Sequence, residues 1–145
     1  MSAEGDSAED PVEVINTLLD RISALDTAGV AALFDENLRF EHMFMPDGVP
    51  LITTSGAELA RSMVDTLSRF EKWHIWMTNA YRLEDDPSMA ISEWESEGLL
   101  KSGQEYRNTY IGIHRVANGR IVFWREYAHP NPMELVWTEN HRPDI

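Results

Sequence analysis

The chain has 145 residues, 43% of them hydrophobic, the size of one domain with a sizeable core. Its 25 acidic residues against 12 Lys and Arg give a formal net charge of −13, which argues against nucleic acid and anionic membrane surfaces as partners, since both select basic patches. No cysteine is present, which excludes disulfides, thiolate metal sites and a cysteine nucleophile and fits a cytoplasmic location.

Residues 1–10, MSAEGDSAED, read as a short acidic disordered lead, and 11–145 as a single domain. Asp10, Pro11 and Glu13 form a helix start: a capping carboxylate, a proline in the first turn, and a glutamate at the position that answers the cap. Val12, Ile15, Leu18, Leu19 and Ile22 then recur at helical spacing. Asp26 is placed to cap a second, short helix carrying Val30, Leu33 and Phe34. The stretch LRFEHMF alternates as a strand from Leu38 to Phe44, and MPDGVPLITTSG is a loop by its Pro and Gly content. Ser55 and Gly56 precede a helix with Leu59, Met63, Val64, Leu67 and Phe70 on one side.

Strands follow near 72–83, 89–101, 105–116 and 120–129, broken by DDPS, SGQ and ANGR. Asn118-Gly119 signals a two-residue hairpin, because both turn positions need positive φ. Its register sets Val116 opposite Ile121, Ile113 opposite Trp124 and Ile111 opposite Glu126. It also sets His114 opposite Phe123, on the other face from Glu126. PNPMELVW reads as loop followed by one helical turn. Helices first and a long antiparallel meander after them predict an α+β fold, helices covering one face of a curved sheet. A strongly bent sheet closed by helices leaves a conical cavity.

Two ionisable residues stand on otherwise apolar stripes. Glu126 shares a face with Val122, Trp124 and Ala128, and a carboxylate there is costly unless something pairs with it or uses it. It is either a structural or partly solvated residue or a buried general acid/base. His42 is the polar member of Leu38, Phe40, His42 and Phe44, either a satisfied core histidine or a catalytic or ligand-binding one. In ISEWESEG, Glu93, Glu95 and Glu97 share one face, either a metal or catalytic cluster or, as expected here, the solvated face. Trp94 with small Ser92, Ser96 and Gly98 leaves room for a ligand against an aromatic wall. The five histidines, His42, His74, His114, His129 and His141, show neither HxH nor HExxH spacing, so no metal site is expected. Glycine-rich phosphate loops, GxSxG and Walker sequences are absent, and no cofactor is expected. The face of Tyr110, Ile121, Phe123 and Tyr127 is expected to point outward. Its cover would be another subunit or the chain's own segment from Met133 to Trp137.

The order of elements and the ending NGRIVFWREYAHPNP resemble the nuclear-transport-factor-two-like superfamily, also called SnoaL-like or ketosteroid-isomerase-like, over residues 11 to 137. The resemblance implies a cone-shaped curved antiparallel sheet with N-terminal helices on its concave face, enclosing a pocket, usually in a dimer or trimer. That superfamily holds cofactor-free enzymes and noncatalytic binding modules. Limonene epoxide hydrolases have a similar segment at Trp124, Arg125, Glu126 and Tyr127, which places their catalytic acid at Glu126. Their water-holding tyrosine and asparagine match Phe40 and His42, while Trp94 and Ser96 replace their catalytic arginine and second aspartate. Ketosteroid isomerases place their general base at His42 and their oxyanion tyrosine near Arg21. Phenazine-biosynthesis A/B proteins are similar over FEKWHIW, LEDDPSMAISEWESEG, YRNTY, NGRI and REY. Their catalytic glutamate matches Glu126, and Ser62 and Thr66 stand where they carry histidine and serine.

Together these readings imply a cofactor-independent acid–base enzyme of lyase, isomerase, cyclase or hydratase type, acting on a small apolar, aromatic metabolite. His42 and Glu126 would move protons and Arg21 would orient an oxyanion. Phe40, Trp94, Ser96, Ile111 and Trp124 would bind substrate. The expected assembly is a homodimer or homotrimer. The rival readings are a noncatalytic binder of an apolar small molecule and an interaction module with a filled core.

Overall fold

A computed structural model describes residues 10–45, 47–48 and 51–137. The lead sequence up to residue 9 and His141 lie outside the described residues. Helix α1 (Pro11–Ser23) starts as its sequence dictates: the Asp10 side chain accepts from Val12 N at 3.0 Å, and Pro11 occupies the first turn. Its buried stripe is Val14, Ile15, Leu18, Leu19 and Ile22, so Val14 takes the core place expected of Val12. Asp26 caps the short α2 (Thr27–Ala31), accepting from Gly29 N.

Strand β1 (Phe34–His42) leads through a short β2 (Ile52–Thr53) into α3 (Gly56–Ser68), which Ser55 caps. Four strands follow: β3 (Phe70–Arg82), β4 (Met89–Leu100), β5 (Glu105–Ala117) and β6 (Arg120–Ala128). Phe70 therefore opens β3 rather than ending the helix, and Val64 faces solvent. The chain then forms α4 (Pro130–Trp137), two turns where the sequence suggested one.

The six strands run in the order β2-β1-β6-β5-β4-β3. From β3 to β6 the sheet is an antiparallel meander, as expected. β1 pairs parallel with β6, a long-range pairing that alternation does not reveal. Because β1 and β3 lie towards opposite edges, the segment carrying α3 must cross the fold between them. α1 packs on β3, β4 and β5, and α3 packs on α2 and β1. These helices cover the inner face of the sheet, and a buried apolar cluster fills the space between the two layers.

The hairpin register needs one correction. Asn118 and Gly119 take φ of 55° and 76°, and Val116 pairs with Ile121 as predicted. Arg115 then pairs with Phe123, so Val122 is an extra, bulged residue and everything beyond it shifts by one. His114 pairs with Trp124, Gly112 with Glu126, and Ile111 with Tyr127. His114, Tyr110 and Ile121 are consequently buried on the inner face, while Phe123 and Tyr127 remain on the outer one.

Candidate functional site

Parallel pairing builds the centre of the site. It sets Phe40 beside Trp124 and His42 beside Glu126. His42 Nε2 lies 3.2 Å from Glu126 Oε2, and the two residues are only 5% and 7% exposed. The contact is not a straight hydrogen bond: neither ring nitrogen of His42 has a well-directed partner among the described residues. Arg125, next in sequence, turns to the outer face. There Arg125 and Arg39 each donate to Glu41 at 2.6 Å, and these bonds hold the Glu41 carboxyl below the usual carboxylate range. His42 is thus the ionisable side chain that faces Glu126 across the cavity wall.

The pair sits in the wall of a cavity of about 520 Å³. Its apolar lining combines the rings of Phe40, Phe70, Trp73, Trp94 and Trp124 with aliphatic side chains and methionines, among them Ile22, Leu59, Met63 and Ile75. The Phe40 ring meets Trp124 edge-on at 4.8 Å. Met133 and Val136 of α4 are buried and complete the wall. The terminal segment therefore turns into the cavity instead of covering the outer sheet face; the side chains of Glu134, Leu135 and Trp137 lie outside the described residues.

Two tyrosines that the sequence reading missed also line the cavity. Tyr110 Oη lies 2.8 Å from Ser96 Oγ and 3.2 Å from Tyr106 Oη, and Asn108 Nδ2 donates to Tyr106 Oη at 2.9 Å. Burial pushes the Tyr106 phenol up to about 12 and Tyr110 well above the ordinary phenol value, with a smaller upward push from the Glu126 carboxylate. Both therefore stay protonated and can donate hydrogen bonds. Period-two spacing of Tyr106, Asn108 and Tyr110 carried the signal, but the unshifted register had turned that face outward.

Of the other expected site residues, Phe40, Trp94 and Trp124 line the cavity. Ser96 is buried behind Tyr110 and is not part of the lining. Ile111 is corrected: the bulge places it on the outer face, 42% exposed. Arg21 is corrected too, since its Nη1 donates to Gly29 O at 2.7 Å, away from the cavity lining. The small residues of β4 and β5 make room for rings rather than directly for a ligand. A side chain at Gly98 would meet Lys72 O at 2.7 Å and Trp73 at 3.0 Å, and one at Gly112 would meet His114 and Trp94. Ser92 Oγ accepts from Trp94 Nε1 at 2.7 Å. His114 lies between the Trp94 and Trp124 rings, at centroid distances of 5.5 and 5.4 Å. Burial pushes its imidazole down to about 3. Among the described residues no three His, Asp or Glu side chains converge as a metal cluster would. Nor is any helix there long and apolar enough to cross a membrane.

A cone of sheet closed by helices, with an acid and a histidine meeting inside, defines a pocket protein of the nuclear-transport-factor-two-like fold. The chain belongs to the SnoaL-like domain family, whose model matches residues 15–124. It is 26% identical over 123 residues to the uncharacterized protein YesE of Bacillus subtilis, covering 84% of this chain and 83% of that one. A crystal structure of a Bacillus subtilis protein provisionally called an isomerase is similar at 25% identity, with a TM-score of 0.79 over 90% of this chain and 94% of that one. An epoxide hydrolase from M. tuberculosis shares the fold at 17% identity, with a TM-score of 0.69 over 94% of this chain and 92% of that one. The phenazine biosynthesis-related protein of Pseudomonas aeruginosa does so at 18% identity, with a TM-score of 0.69 over 98% and 94%.

Proposed function

We propose that the protein is a cofactor-independent enzyme that moves protons on a small, ring-bearing, largely apolar molecule held in this cavity. The observation that carries the reading is the 3.2 Å approach of His42 Nε2 to Glu126 Oε2 in an aromatic-lined cavity. A carboxylate and an imidazole at that spacing can pass a proton between them and to one reacting atom. Glu126 acts as the base that takes a proton from substrate carbon or from water, and His42 returns it. Tyr110, backed by Ser96 and Tyr106, donates to oxygen that gains negative charge. Phe40, Trp94 and Trp124 hold the ring.

The protonated hydroxyls of Tyr106 and Tyr110, two residues of the lining, support an oxygenated substrate. The family relatives include an epoxide hydrolase and a protein provisionally called an isomerase, and both names fit acid–base work without committing this chain to either. The outer sheet face, with Phe123, Tyr127 and exposed Ile111, supports assembly as a homodimer or homotrimer, which sedimentation would read as two or three times the monomer mass.

The base is tested with 5-nitrobenzisoxazole, an aromatic probe that a positioned carboxylate opens by removing its ring C–H proton. The wild type should exceed the rate of free carboxylate, and Glu126→Gln should lose about 10²–10⁴-fold with an unchanged circular dichroism spectrum. Equal rates for the two proteins would remove Glu126 from the mechanism. Ligand binding without turnover, unchanged in Glu126→Gln, would instead favour a noncatalytic binder.

A further inference from the structure

We propose that Arg61, on the rim of the cavity, anchors the carboxylate of the substrate, which is therefore a ring-bearing monocarboxylic acid. The inference rests on the cavity being the substrate site and adds the chemical class.

The mouth is marked by exposure. Of the lining residues on α3, Leu59 is buried and Met63 half-buried, while Arg61 and Ser62 are exposed and Thr66 is intermediate. Arg61 and the hydroxyl residues thus stand at the open end, and His42 and Glu126 at the buried end.

Arg61 is also conspicuously unengaged. The structure describes nine arginines. Arg39, Arg69, Arg82, Arg107, Arg115 and Arg125 all lie within 4.0 Å of Asp or Glu carboxylates, and Arg21 bonds the Gly29 carbonyl. Among the described residues only Arg61 and Arg120 lack a protein partner, and Arg120 stands beside the β5–β6 turn, away from the cavity. Acids outnumber Lys and Arg by 25 to 12 in this chain, so a guanidinium left open on a cavity rim is the local exception. Even Glu58, three residues earlier on α3, forms no ion pair with it.

The charge sets the class of anion. One guanidinium balances the single charge of a carboxylate, and Glu58 on the same lining disfavours a phosphate dianion. The planar fork of arginine matches a carboxylate with two parallel hydrogen bonds, and Ser62 and Thr66 can add hydroxyl donors. Held by its carboxylate at the mouth, a substrate lies lengthwise, with its ring among the tryptophans and its far end at Glu126 and His42.

The test is titration calorimetry with 2-naphthoate and its neutral counterpart 2-naphthamide. The wild type should prefer the acid by about tenfold or more at low salt. At ~1 M salt, where charges are screened beyond ~3 Å, the preference should shrink. Arg61→Gln should bring the acid down to the affinity of the amide, and Arg61→Lys should restore part of the difference. Equal binding of both compounds by the wild type overturns the anchor and leaves the cavity reading standing. Retention of the preference in Arg61→Gln overturns it as well, since the carboxylate is then held elsewhere. Binding of neither compound overturns both the anchor and the cavity reading.

Discussion

Lowering the pH from 7 to 5 should cost this fold about 2 kcal/mol through one residue, His114. The imidazole is fully buried between Trp94 and Trp124, and neither ring nitrogen has a protein partner among the described residues. Burial disfavours the charged ring and sets its pKa at about 3, against 6.5 for the exposed side chain. Above pH 6.5 the ring is neutral in both folded and unfolded chains, and the full stability is present. Below 6.5 the unfolded chain takes up a proton that the folded chain refuses. Stability then falls by ~1.4 kcal/mol per pH unit until the loss levels off near pH 3.

Urea unfolding of the wild type and His114→Leu at pH 7, 6 and 5 measures the effect, because the variant cannot take up this proton. Asp10, Glu41 and Asp86 do not confuse the comparison. Hydrogen bonds from Arg82, Arg39 and Ser88, respectively, hold their carboxyls below the usual range, and both proteins share them. The difference in stability between the two proteins should shift by about 2 kcal/mol across this interval. Parallel pH profiles would mean that His114 carries its proton inside the fold, and the account of its burial would fail.

Two further outcomes follow from the same wall. Gly112→Ala puts a methyl group 2.5 Å from His114 Cε1 and 2.8 Å from Trp94 Cζ2, so urea unfolding should show a loss of ~1–3 kcal/mol. Tyr106 and Tyr110 should resist ionisation: the stability they gain by staying neutral is present below pH 10 and is lost as pH climbs through their raised values, about 12 for Tyr106. Absorbance at the phenolate band should therefore rise for these two only as the fold is lost. Reversible titration of every tyrosine below about pH 11, with circular dichroism unchanged, would contradict their burial.

Local patterns in the sequence reach far into this structure. Asp10, Asp26 and Ser55 declare three helix starts, Asn118-Gly119 declares a hairpin, and Glu126 and His42 stand out because each interrupts an apolar stripe. The bulge at Val122 has no such signature. Valine suits a regular strand as well as a bulged one, so alternation counted from the turn put Tyr110 outside and Ile111 inside. Arg21 was placed by likeness to other proteins. Its helix ends within reach of the Gly29 carbonyl, and that contact decides where the guanidinium goes. The room read at Gly98 is real, but the ring that occupies it, Trp73, comes from the neighbouring strand β3, which spacing along one strand cannot disclose.

The position of β6 in the sheet bears on when the molecule becomes competent. It is the last strand in the chain, yet it lies between β1 and β5. Within the sheet, only residues 120–128 join β1 to the meander of β3, β4 and β5. His42 and Glu126 meet across this seam, 84 residues apart (126 − 42), so a chain cut before β6 would hold neither a continuous sheet nor the acid that faces the histidine. The proposed acid–histidine pair therefore depends on this long-range closure, and such contacts belong among the slower events of folding.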